Sequence, residues 1–283
     1  MNVRPPVFAS QGWYPASERA CRQAIEEYLA SFPGKPTGHN AGIVPHAGWV
    51  FSGKTAAWTF AALQEAAPDV VFVFGGHLQS SAWCISMPRG AFGTPLGPVP
   101  VEEQIAEELV ENFTCHRETA ARPTPDNTIE LQMPLIKAVW PDASVVAVQV
   151  PPCPDAASFG SWAAEAAKRH GKSAVAIGST DLTHYGANYG FTPQGVGEEA
   201  LRWSKEENDR PFIDRLLALD TTGALGHALA NQSACCPGAA VAAVGFALAR
   251  GAGEGKLIEH TSSHEVDGRG DPRMWVGYAS IVF

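Results

Sequence analysis

Short apolar runs alternate with longer segments of helical spacing almost from end to end of the chain. Residues 41–44, 69–74, 144–150, 173–178 and 275–283 read as strands. After its leading Asp69, the second run is unbroken Val and Phe, as expected for a strand buried on both faces. Helices are predicted over 19–30, which the Phe32-Pro33-Gly34 breaker ends, and over 53–67, 101–112, 128–139 and 159–170. Two or three more are expected between 197 and 229, and 239–250 reads as a small-residue helix packed close to the sheet. The Gly- and Pro-rich stretch 87–100 reads as loop, a candidate flap over a site. Alternation of this kind implies βαβ units and an α/β fold, its central sheet mostly parallel or mixed and flanked by helices. No repeat, linker or low-complexity tract divides the sequence, so residues 1–283 are expected to form a single domain.

In open α/β sheets, ligands gather at the carboxyl ends of the strands. Three predicted strands run out there into chemistry: Pro45-His46-Ala47-Gly48, Gly75-Gly76-His77, and Ser179-Thr180-Asp181-Leu182-Thr183-His184. Exits carrying His, His and an Asp/His pair point to one shared site, and to a metal. Each residue taken alone has a plainer reading. A single Cys in an apolar run is usually packing, Asp181 would cap a helix beginning after it, and Glu130 would sit in the first turn of another. His184 and His264 would be surface groups. His39, His116, His170, His227 and His260 lack a supporting motif and read as structural or exposed. Trp13, Tyr14, Trp49, Phe51 and Tyr185 adjoin the motif residues, either as walls for a flat substrate or as core.

At 283 residues, with 45% hydrophobic and 17% charged positions, the chain can bury a sizeable core. A net charge of −9 without any Lys/Arg cluster argues against a nucleic-acid partner. No stretch approaches the roughly 20 apolar residues that span a bilayer, and Met1-Asn2-Val3-Arg4-Pro5-Pro6 lacks the apolar core of a signal peptide. The expectation is a cytoplasmic protein with no membrane association. Six scattered cysteines without a CxxC pair are expected to be mostly buried thiols. Arg269-Gly270-Asp271 spells an adhesion tripeptide, read as chance.

Gly12-Trp13-Tyr14-Pro15, Pro45-His46-Ala47-Gly48-Trp49 with Ser52-Gly53, and Ile129-Glu130-Leu131-Gln132-Met133-Pro134 come first in a longer series. Ser179-Thr180-Asp181-Leu182-Thr183-His184-Tyr185-Gly186, Ala234-Cys235-Cys236-Pro237-Gly238-Ala239 and Gly277-Tyr278-Ala279 follow in order. Together they resemble the Memo-like family, which includes the bacterial AmmeMemoRadiSam system protein B. Members of that family are similar in fold and in the position of the metal centre to class III extradiol dioxygenases. The resemblance implies a two-histidine, one-cysteine centre for iron or copper. By motif its ligands are His46, His77 and Cys235, with Asp181 and His184 beside the metal as acid/base groups. Fe(II) is expected, with copper or zinc as alternatives, because a thiolate in place of a carboxylate favours softer ions.

This chain also departs from the family pattern. The family usually has His where Asn127 stands, and Asn cannot transfer a proton at neutral pH. The His77 segment is one residue shorter than the usual turn. Cys236 stands where relatives often carry Gly, leaving open which sulfur faces the ion, and His264 stands where they tend to carry Asp, a candidate extra imidazole at the rim. Three functions compete. The first is an Fe(II)-dependent extradiol-type dioxygenase acting on a catecholic or related small aromatic substrate, with His184 moving the proton and Asp181 orienting it. The second is a non-catalytic copper- or iron-binding accessory or peptide-binding adaptor. The third is a zinc hydrolase with Glu130 or Asp181 as base.

Overall fold

In the computed structural model, residues 2–268 and 270–283 are described; Met1 and Arg269, the first residue of the adhesion-like tripeptide, lie outside the described residues. The strands are β1 Val3–Arg4, β2 Ala41–Val44, β3 Val70–Gly75, β4 Ile85–Ser86, β5 Ala91–Phe92, β6 Val99–Pro100, β7 His116–Arg117, β8 Ser144–Gln149, β9 Ala174–Ser179, β10 His184–Gly186, β11 Lys256–Ser262 and β12 Met274–Val282. The helices are α1 Val7–Ser10, α2 Glu18–Ala30, α3 Trp49–Leu63, α4 Glu103–Phe113, α5 Asn127–Glu130, α6 Met133–Val139, α7 Ala156–Arg169, α8 Glu198–Trp203, α9 Arg210–Leu217, α10 Thr221–Asn231, α11 Pro237–Ala249 and α12 Ser263–Asp267.

The main sheet is mixed, ordered β10-β12-β2-β9-β3-β8-β4-β7, with β11 paired to β12. Its centre, β2-β9-β3-β8, is parallel, while β12 joins β2 and β4 joins β8 antiparallel. Every residue of β2, β3 and β9 is buried, which is why these strands are continuously apolar rather than alternating. Helix α3, with α2 and α6 beside it, packs on β2 and β12; α11, with α7 and α10, packs on β9, β2 and β3. One hydrophobic cluster runs through these layers, with members from Ala9 to Phe283.

The topology places the chemistry. Because β9 lies between β2 and β3 and all three run parallel, their exits at His46, Asp181 and His77 emerge side by side at one end of the sheet. Gly76 makes the last of these exits tight: its φ is +99°, and a Cβ there would overlap the Gln149 side chain.

Several expectations are corrected. The 87–100 segment is not a flap, since β5 pairs with both β1 and β6 in a separate three-stranded sheet whose Ala91, Phe92 and Val99 are buried. The helix expected over 128–139 is two short ones, α5 and α6, with Pro134 near the start of the second. Helix α3 begins at Trp49 rather than residue 53, and its end tightens into a 3₁₀ turn over Gln64–Ala66. Cys84 and Cys115 form a disulfide, while Cys21, Cys153, Cys235 and Cys236 are free. Among the described residues no helix is long and apolar enough to cross a membrane.

Contact between α7 and α11 depends on missing side chains. A Cβ on Gly160 would overlap the Ala242 carbonyl and the Phe246 amide, and one on Gly245 would overlap the Ala157 carbonyl. The obstacle is backbone on both sides and cannot rotate away. Gly160→Ala is therefore expected to destabilise by about 3 kcal/mol, at the upper end of overpacking costs, as read by urea unfolding; an unchanged midpoint would contradict this packing.

Candidate metal centre

His46 lies two residues past the end of β2 and is buried. Its Nδ1 lies 3.0 Å from Ser179 Oγ, so Nε2 is the nitrogen left to face Cys235 Sγ, 3.2 Å away. Gln132 donates to Ser179 Oγ (3.3 Å) and to the Pro45 carbonyl (3.1 Å), bracing both strand exits from behind. His77 is exposed and its ring meets that of His46 edge-on, centroids 5.0 Å apart. Thr128 holds the His77 turn by accepting from Gly76 N–H at 2.8 Å.

Cys235 and Cys236 arrive from the start of α11, where Cys236 is the N-cap. Two backbone-directed bonds fix them: Cys235 N–H donates to the Asp181 carbonyl (3.1 Å), and Cys236 N–H to Thr180 Oγ1 (3.0 Å). In return Asp181 N–H donates to Cys235 Sγ at 3.3 Å. The Asp181 carboxylate, expected as a helix cap in the plain reading, caps no helix. Its Oδ1 accepts from His46 N–H (2.7 Å), and its Oδ2 stands 3.9 Å from His46 Nε2 and 3.8 Å from His184 Nε2. His184 Nε2 is buried and has no hydrogen-bond partner, a polar atom left facing the site.

Charge is concentrated here. Burial alone would depress the His46 imidazole, but the Asp181 and Cys235 charges overrule it and push it up to about 9. Burial likewise opposes the charged form of His184, and Asp181 and Cys235 push that imidazole up to about 10. Burial would raise the Cys235 thiol, yet the Cys236 thiol, His46 and His184 hold it well below the ordinary range. Proximity to a helix N-terminus also favours the thiolate. Burial and its sulfur neighbour push Cys236 up.

The ligand atoms of His46, His77, Cys235 and Cys236 all lie within 4.8 Å of one another, a group that could hold a metal ion. Two imidazoles and two sulfurs form a donor set suited to zinc, copper or ferrous iron, and unsuited to magnesium or calcium. A cavity of about 390 Å³ opens over His46, His77 and Asp181, walled by Trp13, Phe51, Tyr189, Trp275 and Tyr278. A second, of about 360 Å³, lies across His184 and Tyr189 and reaches Cys235.

The structure thus brings His46, His77, Asp181, His184 and Cys235 together and sorts the rest. Of the aromatic candidates, Trp13 and Phe51 line the cavity. Tyr14, Trp49 and Tyr185 are buried, Tyr185 stacked on Trp275 at 4.2 Å. Asn127 does line the cavity, its amide tied to the His46 carbonyl at 3.0 Å. Among the described residues Ser263, not His264, reaches the wall, so the extra imidazole is not at the rim. Glu130 is no base: its carboxylate accepts from Val7 N–H (3.0 Å), Phe8 N–H (2.7 Å) and Tyr14 O–H (3.1 Å), tying down α1. His260, read as structural or exposed, faces buried Asp209 at 3.5 Å. Tyr189, Trp275 and Tyr278 were not foreseen as walls: Tyr189 and Trp275 belong to no motif, and the Gly277-Tyr278-Ala279 motif does not separate a wall from core.

A family model described as Memo-like protein matches residues 4–282. A MEMO1 family protein of Pyrococcus horikoshii is 31% identical over 294 aligned positions, covering 99% of this chain and 98% of its own. Another, of Pyrococcus abyssi, is 30% identical over 292, covering 99% of each. Among solved structures, an uncharacterized protein JW3007 of Escherichia coli K12 overlaps with a TM-score of 0.46 at 13% identity, covering 87% of this chain and 100% of that one.

With three bonds to a buried carboxylate at stake, Glu130→Ala is expected to cost about 3 kcal/mol of stability while leaving metal content unchanged. Loss of metal from a variant of undiminished stability would return Glu130 to the site.

Proposed function

This chain belongs to the Memo-like family, and from that premise we propose that it binds a transition metal through His46, His77 and Cys235 and presents it to a flat aromatic compound. The finer reading is an Fe(II)-dependent, extradiol-type dioxygenase acting on a catecholic or related substrate, with copper or zinc as alternative ions. The observation that carries it is the convergence of four donor atoms within 4.8 Å, two of which, on His46 and His77, line an aromatic-walled cavity while Cys235 lines the one beside it. Bound there, Fe(II) would supply the redox chemistry by which both atoms of O₂ enter a cleaved ring.

The chain's own residues do the remaining work. Trp13 and Phe51 hold the ring flat against the site. His184, whose buried Nε2 has no hydrogen-bond partner, holds or hands over a proton at a substrate hydroxyl. Asp181, 3.8 Å from that nitrogen, orients it. We take residues 1–283 as one domain because the main hydrophobic cluster has members from Ala9 to Phe283. A cytoplasmic setting goes with this proposal; the four free cysteines favour it and the Cys84–Cys115 bond does not.

A second reading is a non-catalytic metal-binding accessory or adaptor protein. Asn127 favours it: the amide occupies the cavity where the family's proton-transferring His is expected, and its tie to the His46 carbonyl gives it a structural duty. The zinc hydrolase loses one of its two candidate bases, since Glu130 is engaged elsewhere.

Anaerobic loading with Fe(II) followed by O₂ uptake on a catechol panel separates the two readings. Uptake that disappears in His46→Ala is expected of the dioxygenase; stoichiometric metal without uptake favours the accessory reading. Metal binding itself has a pH signature. With His46 pushed up to about 9, the metal-free site is protonated at pH 7, and the incoming ion must expel that proton. Apparent zinc affinity should therefore climb by at least about tenfold per pH unit from pH 7 towards pH 9, with proton release measurable in weak buffer. A flat profile would contradict His46 as a ligand.

A further inference from the structure

We propose that Cys236 is a fourth metal ligand, so that His46, His77, Cys235 and Cys236 enclose a four-coordinate zinc-type ion. The inference rests on the metal-binding part of the proposed function and is independent of ring cleavage.

The distances carry it. A tetrahedral zinc ion, with bonds of about 2.3 Å to sulfur and about 2.05 Å to nitrogen, needs S–S edges of about 3.8 Å and S–N edges of about 3.5 Å. The Cys235 and Cys236 sulfurs stand 3.7 Å apart, and His46 Nε2 is 3.2 Å from Cys235 Sγ. Both lie within a few tenths of an ångström of the required edges, and His77 completes a set no wider than 4.8 Å. A buried cysteine is usually packing, and Cys236 is 2% exposed. Its spacing from three other donors sets it apart from Cys21, which is buried in the core cluster with no donor group around it among the described residues.

The chain bends so as to make this pairing. Consecutive residues in a strand point to opposite faces, but Cys236 is the N-cap of α11 at φ −131°, ψ 59°, outside both strand and helix. The bonds from Cys235 N–H to the Asp181 carbonyl and from Cys236 N–H to Thr180 Oγ1 anchor both residues on the β9 exit, and the two sulfurs end on one side. Asp181 stands outside this set: no carboxylate belongs to the four-donor group, and its Oδ1 accepts from His46 N–H. A two-histidine, one-carboxylate triad leaves coordination positions open for substrate and O₂. Four protein donors around a tetrahedral ion leave none, which moves the weight towards the metal-holding reading.

X-ray absorption at the zinc edge of the Zn²⁺-loaded full chain tests this. Two sulfur and two nitrogen neighbours are expected in the wild type, and one sulfur in Cys236→Ala. Zinc affinity of that variant should fall by more than the roughly 10–100-fold that loss of an outer partner costs. One sulfur in the wild type overturns the proposal and leaves metal binding standing. Failure of the wild type to bind zinc stoichiometrically overturns both. If Cys236→Ala does not fold, the wild-type sulfur count alone decides.

Discussion

Asp181 is the residue on which the rest of the site depends. Its carboxylate accepts the His46 backbone amide, its own amide donates to the Cys235 sulfur, and its carbonyl accepts from the Cys235 amide. One residue at the end of β9 thereby locks the exit of β2 to the start of α11. Without that lock, a histidine and a cysteine 189 positions apart would have no reason to share a 3.2 Å contact. The lock is electrostatic as well as geometric. A buried carboxylate, two imidazoles and a sulfur are costly to desolvate singly, and removing one partner of such a set typically costs about 3–5 kcal/mol. The site survives because each charge has an opposite neighbour, and because the strands delivering them are among the most deeply buried in the molecule.

Around that lock the residues divide by rigidity. His46 is held at its backbone by Asp181 and at its ring by Ser179, with Gln132 behind. Cys235 is held through its amide and its sulfur. His77 is exposed and projects from a glycine turn pinned only at its base by Thr128. A centre with one loosely held donor can adjust to what binds it; one with four equally fixed donors cannot. Ligand exchange at His77 is thus the physical difference between a centre that reacts and one that stores.

Much of this was legible in the sequence, for a specific reason. Strands buried on both faces must be apolar throughout, so their ends show sharply where His46, His77 and Asp181 break the runs. The sheet end that collects ligands then follows from strand direction alone. What was hidden depends on contacts between distant segments. Strand β11, Lys-Leu-Ile-Glu-His-Thr-Ser, alternates poorly because it pairs at the sheet's margin and is only half-buried. Glu130 is the first-turn helix residue it looked like, but the amides of Val7 and Phe8 that its carboxylate holds come from a segment more than 120 positions away. Tyr185 and Trp275, stacked ring on ring, divide between core and cavity wall in a way that no local pattern encodes. The pairing of Cys84 with Cys115 rests on the parallel neighbours β4 and β7, a pairing of short strands that leaves no periodic trace.

Metal content per chain, measured by mass spectrometry after exposure to one equivalent of ion and desalting, tests the central claim most directly. The account predicts one tightly held ion per chain in the wild type and none in a His46→Ala, Cys235→Ala double variant that remains folded. A wild-type chain that retains no ion, or a double variant that retains as much, would contradict it.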